Sequence, residues 1–318
     1  MNLGETFALR LVFLGTSAAI PTDKRGLPSV ALVFDGEIVL FDVGEGTQRQ
    51  LRLAGLKATR VRRVLISHLH ADHVLGLPGL IVSRSFIGGT EPLDVYGPLG
   101  LREFVDYTLR ATASRLQYEL RVHEVEEGEF FVGPEYRLVA APLKHRSVCL
   151  GYAFVENERQ GHFDAVRARR LGIEPGPVYA KLKAGGQVSL PDGRVVRGAD
   201  LVGPPIPGRK VAYVTDTVPC PGAYRLAENA DVLIFESTYA AAEEAEAKES
   251  WHATSLQAAK IARRSGAKKL ILTHFSSRYP DPQVFLEKAE EVFPDIVLAE
   301  DFLSVQLKRK DPAKTGSG

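Results

Sequence analysis

Val64-Leu65-Ile66-Ser67-His68-Leu69-His70-Ala71-Asp72-His73 is the stretch on which the reading turns. Its apolar start reads as a buried strand, and three histidines and an aspartate follow within six positions. Alternate residues leaving a strand end project to one side, so His68 and His70 can reach one ion. Asp72 and His73 sit half a turn further on and can reach a second. A surface loop that is polar by chance is the plain alternative. It does not account for His-x-His-x-Asp-His directly after an apolar strand.

Working outward, 318 residues with 45% hydrophobic content suffice for a packed core. A net charge of +1 advertises no nucleic-acid partner globally, so any such partner must be met by local patches. Cys149 and Cys220 are the only cysteines, which argues against a disulfide framework and for a reducing, cytoplasmic setting. No apolar run approaches the roughly 20 residues that span a bilayer, and no signal peptide is expected.

Strands are expected at 7–14, 30–34 and 37–41, the last two as a hairpin turning at Asp35-Gly36. A helix should begin near Gln48. Residues 48–63 carry six Lys or Arg and no acid; this is either a solvated face or a phosphate-contacting surface. Residues 74–86 read as a helix broken by Gly76 and Pro78. Alternating strands and helices continue after residue 210, including a helix over 282–292, and give α/β layers. Residues 156–207 break the rhythm with glycine and proline and little apolar periodicity, the pattern of a long functional or disordered loop. From 156 to 210 there are ten Lys or Arg against six Asp or Glu. The polar tail 308–318 is expected to be disordered.

Further metal-ligand candidates each follow an expected strand: His145, Asp216 and His274. With His68, His70, Asp72 and His73 they make seven, enough for two ions, and the two oxygens of Asp216 could serve both. Two cations a few Å apart suit phosphodiester hydrolysis, because they activate water and offset charge on the phosphate oxygens. His252, in Trp251-His252-Ala253-Thr254, could donate a proton to the leaving oxygen, and Glu236 could orient its ring. His123 and His162 have no motif around them and read as structural or surface. No Gly-x-Ser-x-Gly is present, and neither cysteine sits in an electropositive motif.

The strand with His68-x-His70-x-Asp72-His73, followed in order by His145, Asp216 and His274, resembles the metallo-β-lactamase superfamily. Within it the chain is similar to the ribonuclease Z family of tRNA 3′-processing endonucleases. Phe41-Asp42-Val43-Gly44-Glu45-Gly46-Thr47-Gln48, Gly76-Leu77-Pro78-Gly79-Leu80 and Thr273-His274-Phe275-Ser276-Ser277-Arg278-Tyr279 carry the narrower match. The resemblance implies a four-layer αββα sandwich as one domain over 1–318. It makes 156–207 an inserted flexible arm, an exosite for the tRNA body, with residues 171–183 similar to its Gly-Pro motif. It implies two Zn2+ per subunit, with Mn2+ or another divalent ion as substitute. One ion falls on His68, His70 and His145, the other on Asp72, His73 and His274, with Asp216 bridging and Asp72 also accepting a proton from the attacking water. It implies a homodimer in which one subunit's arm presents tRNA to the other. The expected activity is removal of 3′ trailers from precursor tRNA, leaving a 3′-hydroxyl, with the basic residues of the arm and of 48–63 on phosphates. The competing readings are a superfamily phosphodiesterase or hydrolase acting on a small molecule, and a nucleic-acid-binding protein without catalysis.

Overall fold

The computed structural model describes residues 9–310, so Phe7 and Ala8 of the first expected strand, and 311–318 of the tail, lie outside the described residues. The chain divides into two compact units, 9–155 with 210–308, and 156–209 with 309–310.

In the larger unit, chain order runs β1 (Leu9–Gly15), β2 (Ser29–Phe34), β3 (Glu37–Phe41), α1 (Thr47–Leu53), β4 (Val61–Leu65), α2 (Ala71–Val74), α3 (Gly76–Phe86), β5 (Leu93–Gly97), α4 (Leu101–Ala111) and β6 (Leu120–Glu124). Then come β7 (Gly128–Val132), β8 (Tyr136–Lys144) and β9 (Val148–Glu156). The smaller unit holds α5 (Ala165–Arg170), α6 (Pro177–Lys183) and the hairpin β10 (Gln187–Ser189) and β11 (Val195–Arg197). The larger unit resumes with β12 (Lys210–Val214), α7 (Pro221–Ala227), β13 (Val232–Glu236), α8 (Glu244–Ser250), α9 (Ser255–Arg264), β14 (Leu270–Thr273), α10 (Ala289–Val292), β15 (Ile296–Leu298) and β16 (Ser304–Leu307).

Two seven-stranded sheets form, in the orders β16-β1-β2-β3-β4-β5-β6 and β15-β14-β13-β12-β9-β8-β7. One core lies between them: Phe13, Leu32 and Phe41 from the first meet Leu138, Tyr152, Tyr213 and Ile234 from the second. The Phe41 and Tyr213 rings stack there at 5.1 Å. A second core joins the first sheet to α1, α3 and α4 through Leu40, Leu51, Val64, Leu77, Leu80 and Val105. A third joins the other sheet to α7, α9 and α10 through Leu226, Leu233, Ile261, Leu272 and Ala289. Helix, sheet, sheet, helix is thus the layering, the expected αββα sandwich.

β3 to β6 are parallel, as are β12 to β15. Parallel strands covered on both faces read as continuous apolar runs, and β13 is buried at every position. Parallel pairing also places successive carboxyl ends along one edge, and there the site is built.

Local structure departs from expectation in several places. Pro78 does not break a helix; it sits in the first turn of α3, where its missing N–H removes no bond. Gly76 is needed at that turn, because a Cβ there would lie 2.0 Å from the Gly44 carbonyl oxygen. The helix expected over 282–292 is two pieces, the 3-10 turn Pro282–Phe285 and α10, with Lys288 at φ 58° before the second. β7, β9, α7 and α8 were not expected at all; the last two are short and their stability comes from packing rather than from periodicity.

The smaller unit has its own apolar centre of Ala168, Ile173, Leu182, Leu190, Val196 and Leu201. At its root the buried Arg209 donates through Nε and Nη2 to Glu156 Oε2 (2.7 Å) and Oε1 (2.9 Å). Burial pushes the Glu156 carboxyl up, but these bonds outweigh it and hold the group below its ordinary value. Lys310, from the tail, donates to the Gly208 carbonyl at 2.6 Å.

Candidate metal centre and active site

Six chain segments deliver the site, each immediately after or at the end of a strand: Asp42 after β3, Ser67 and His68 after β4, His145 after β8, Asp216 after β12, Glu236 ending β13, and His274 after β14. His70, Asp72 and His73 come from the turn into α2. All seven sequence-derived ligands gather there. His68, His70, His145 and Asp216 form one group whose ligand atoms lie within 4.8 Å of one another, and Asp72, His73 and His274 form another. Asp216 faces both. Its Oδ2 is 3.6 Å from His68 Nε2 and 3.9 Å from His145 Nε2, and its Oδ1 is 3.4 Å from His73 Nε2 and 3.3 Å from His274 Nε2.

The imidazoles are oriented from behind. His73 Nδ1 bonds Asp42 Oδ2 (2.8 Å), His145 Nδ1 bonds the Trp251 carbonyl (3.0 Å), His68 Nδ1 bonds Ser67 Oγ (2.9 Å) and His274 Nδ1 bonds Thr238 Oγ1 (2.9 Å). Ser67 Oγ donates its own proton to Asp42 Oδ2 (2.8 Å), and Thr238 Oγ1 donates to Glu236 Oε2 (2.7 Å). Both hydroxyls therefore accept from the histidines, which places the ring protons on Nδ1 and the lone pairs on Nε2. The four Nε2 atoms converge on one another and on Asp216: His73 Nε2 lies 3.2 Å from His274 Nε2, and His145 Nε2 lies 3.3 Å from His70 Nδ1. His68 Nε2 is fully buried with no hydrogen-bond partner. Imidazole nitrogens and carboxylate oxygens gathered this closely, with His68 Nε2 unpartnered among them, fit divalent cations.

The charge balance agrees. Burial, reinforced by His73, holds His68 well below the ordinary imidazole value, and burial lowers His145 too. Both are neutral at pH 7, as a ligand must be. At His73 burial again opposes charge, but Asp216 and Asp42 outweigh it and push the pKa well up. A field that favours a proton there favours a cation. Burial pushes Asp72 and Asp216 up, yet the surrounding histidines hold both carboxyls below the usual range.

Asp42, Ser67 and Thr238 were not singled out from sequence for any role. Asp42 is wholly buried, and besides His73 and Ser67 Oγ it accepts from the Ser67 N–H (2.7 Å) and the Tyr213 hydroxyl (2.8 Å). An acid just past an apolar strand was the available signal, the same one that marked Asp216. Ala19 was missed too; its N–H donates to Asp72 Oδ2 at 2.9 Å. Ala19, Asp42, Asp216 and His274 all have positive φ (61°, 54°, 33° and 61°). Left-handed backbone at such residues costs on the order of 1–3 kcal/mol each and persists only where surrounding structure imposes it.

His252 lines the same cavity, of about 360 Å3, with His70, Asp72 and Asp216. Its Nδ1 bonds Glu236 Oε1 at 3.0 Å. Glu236 is fully buried and also accepts from the Thr217 and Ala253 N–H groups, each at 3.0 Å. Burial lowers the His252 pKa, but Glu236 overrides it and pushes it up to about 9. His123 and His162 lie elsewhere, as expected; His123 pairs with Asp94 (3.0 Å) and stacks on Tyr96.

A family model described as Anti-Pycsar protein Apyc1 matches residues 9–153, and one described as Beta-lactamase superfamily domain matches residues 198–275. A protein of Acaryochloris marina named Ribonuclease Z is 46% identical over 95% of this chain and 98% of the relative. Ribonuclease BN of Cronobacter sakazakii is 43% identical over 93% of this chain and 99% of the relative. The crystal structure of human tRNase Z, short form, superposes with a TM-score of 0.69 at 31% identity, covering 93% of this chain and 98% of that one. Similarity at this level over nearly the whole length, with the αββα layers and the histidine–aspartate cluster, means that the chain belongs to the ribonuclease Z family of the metallo-β-lactamase superfamily.

Proposed function

We propose that this protein is a metal-dependent endoribonuclease that removes 3′ trailers from precursor tRNA and leaves a 3′-hydroxyl on the tRNA. The observation that carries the reading is Asp216, with one oxygen toward each of two ligand groups. His68, His70 and His145 would hold one divalent cation, Asp72, His73 and His274 a second, with Asp216 shared; zinc suits this nitrogen-rich set, with Mn2+ or another divalent ion as substitute. Bound there, such cations supply Lewis acidity toward the phosphodiester and lower the pKa of water. Asp72, fixed by the Ala19 N–H, takes the proton from the attacking water. His252, charged through Glu236, gives a proton to the departing 3′ oxygen. The small-molecule alternative is not favoured, since relatives named ribonucleases align over nearly the whole chain.

Chelation with EDTA should abolish cleavage of a 3′-extended tRNA, and zinc should restore it; mapping the ends should show one cut after the tRNA body. Scattered cuts, or chelator-resistant cleavage, would overturn the reading. His252→Ala is expected to lower kcat about 100-fold or more, the scale of lost general-acid catalysis, with KM little changed. Glu236→Gln should lose part of that and shift the basic limb of the pH profile to lower pH. A proportionate rise in KM alone would instead make His252 a binding residue. Asp42→Asn should fold yet hold zinc roughly 10–100-fold more weakly, because His73 loses its anionic partner. Unchanged affinity in a metal-buffer titration would contradict that role.

The phosphate-contacting surface is assigned to the arm, where Arg167, Arg169 and Arg170 of α5 and Lys181 and Lys183 of α6 are exposed. On the larger unit, Arg49, Arg52, Lys57 and Arg60 are exposed and are assigned phosphate contacts of their own. Arg62 and Arg63 do not join them: the first reaches Glu91 and Glu37, and the second lies 3.9 Å over the Phe131 ring and bonds the Tyr136 hydroxyl. A second copy of the chain is the proposed partner of the exposed apolar side chains Leu53, Phe86, Ile87 and Tyr107 on or beside α1, α3 and α4. A monomeric mass by sedimentation at micromolar concentration would exclude it. Among the described residues no helix is long and apolar enough to cross a membrane. The two buried, unpaired cysteines support a cytoplasmic setting.

A further inference from the structure

The arm contains a cavity of about 390 Å3, bordered by Gln160, His162, Phe163, Tyr179 and Lys183. That is within the range of roughly 300–1,000 Å3 that takes small planar ligands. Its walls are aromatic. The Phe163 and Tyr179 rings meet at 4.8 Å with a 53° tilt, and both are only partly buried. The Tyr179 hydroxyl is turned inward onto the Ile173 carbonyl at 3.0 Å, which fixes the ring. Lys183 Nζ stands 5.5 Å from the Phe163 centroid. The Gln160 amide nitrogen bonds the Lys183 carbonyl, which leaves its oxygen as an acceptor at the rim.

A phosphate would find one ammonium here and the negative faces of two rings, a poor anion site. A flat heterocycle would find a ring to stack on, a cation near its π face, and amide and imidazole groups for its polar edge. Proteins reach RNA bases chiefly in loops, where bases can be unstacked and splayed out. We propose that this cavity receives one unpaired nucleobase of the RNA substrate, so that the arm reads a base as well as the backbone. The inference rests on the precursor-tRNA reading above and adds to it a contact of different chemistry.

The test measures binding of 3′-extended precursor tRNA to the full-length chain, made cleavage-deficient by Asp72→Ala. Added to that background, Phe163→Leu should raise Kd about 5- to 100-fold, the range for one base–aromatic stack, and leave the slope of log Kd against log salt unchanged. Phe163→Tyr should keep the affinity. Arg169→Ala, a phosphate contact, should instead lower the salt slope by about one. A series of precursor tRNAs, each abasic at one unpaired position, should contain one RNA that binds as weakly as the Phe163→Leu pair, and on that RNA Phe163→Leu should cost nothing further. This abasic series on an unaltered arm also decides the matter if Phe163→Leu disturbs folding. Tight binding with no abasic-sensitive position overturns the base pocket alone. Failure of the parent chain to bind or cleave precursor tRNA overturns the functional reading beneath it.

Discussion

Asp72→Ala should lower cleavage of precursor tRNA roughly a thousandfold or more while the Kd for the same RNA stays nearly constant. The carboxylate is held by one N–H and faces two imidazole nitrogens. Its Oδ2 accepts from the Ala19 N–H, and it lies 3.4 Å from His73 Nε2 and 3.6 Å from His274 Nε2. The substitution therefore removes the proposed proton acceptor and one of four groups assigned to the second cation. Affinity for RNA should persist, because the contacts proposed for it are phosphate contacts on exposed cations outside this cluster. Single-turnover kinetics beside a binding isotherm separate the two quantities. A variant that cleaves within tenfold of the parent would sink the role of Asp72, and one that no longer binds RNA would make the residue structural.

Excision of the arm is the second large effect. Deleting only 161–186 would strip Ala168, Ile173 and Leu182 from the arm's apolar centre and leave Leu190, Val196 and Leu201 without partners. The cleaner cut removes 157–208 and joins Glu156 to Arg209 by a tight turn. The Glu156 N–H already bonds the Arg209 carbonyl at 2.9 Å, so the ends are adjacent. The exposed cations of α5 and α6 go with the arm. Affinity for precursor tRNA should fall about 100-fold or more near physiological salt, with a shallower salt dependence. Turnover of a small aryl phosphodiester should survive, because every cluster residue lies in the other unit. Unchanged tRNA affinity would remove the arm from recognition.

The seven candidate ligands were legible because histidine and aspartate directly after apolar runs are chemically conspicuous, and their side chains do converge. Strand-end position was equally visible at Asp42, yet nothing in the linear order connects it to His73, Ser67 or Tyr213. Glu236 and His252 could be paired from sequence as a carboxylate and an imidazole. Thr238, two residues past Glu236 and bonded to both His252 and His274, could not. Arg62 and Arg63 looked like the rest of the basic run until strand pairing brought Glu37, the loop before β5 brought Glu91, and packing of the other sheet brought Phe131 and Tyr136 to them.

By itself the amino-acid order determined the alternation of apolar strands and helices, and the placement of candidate metal-binding side chains at strand ends. Both follow from local periodicity and from side-chain chemistry, which act over a few residues. Tertiary structure alone decided which Asp216 oxygen faces which group, which imidazole nitrogen carries the proton, and that the arm owns an apolar centre and a cavity. Those depend on contacts between segments tens to hundreds of residues apart, set by sheet order and by the left-handed turns at Asp42, Asp216 and His274.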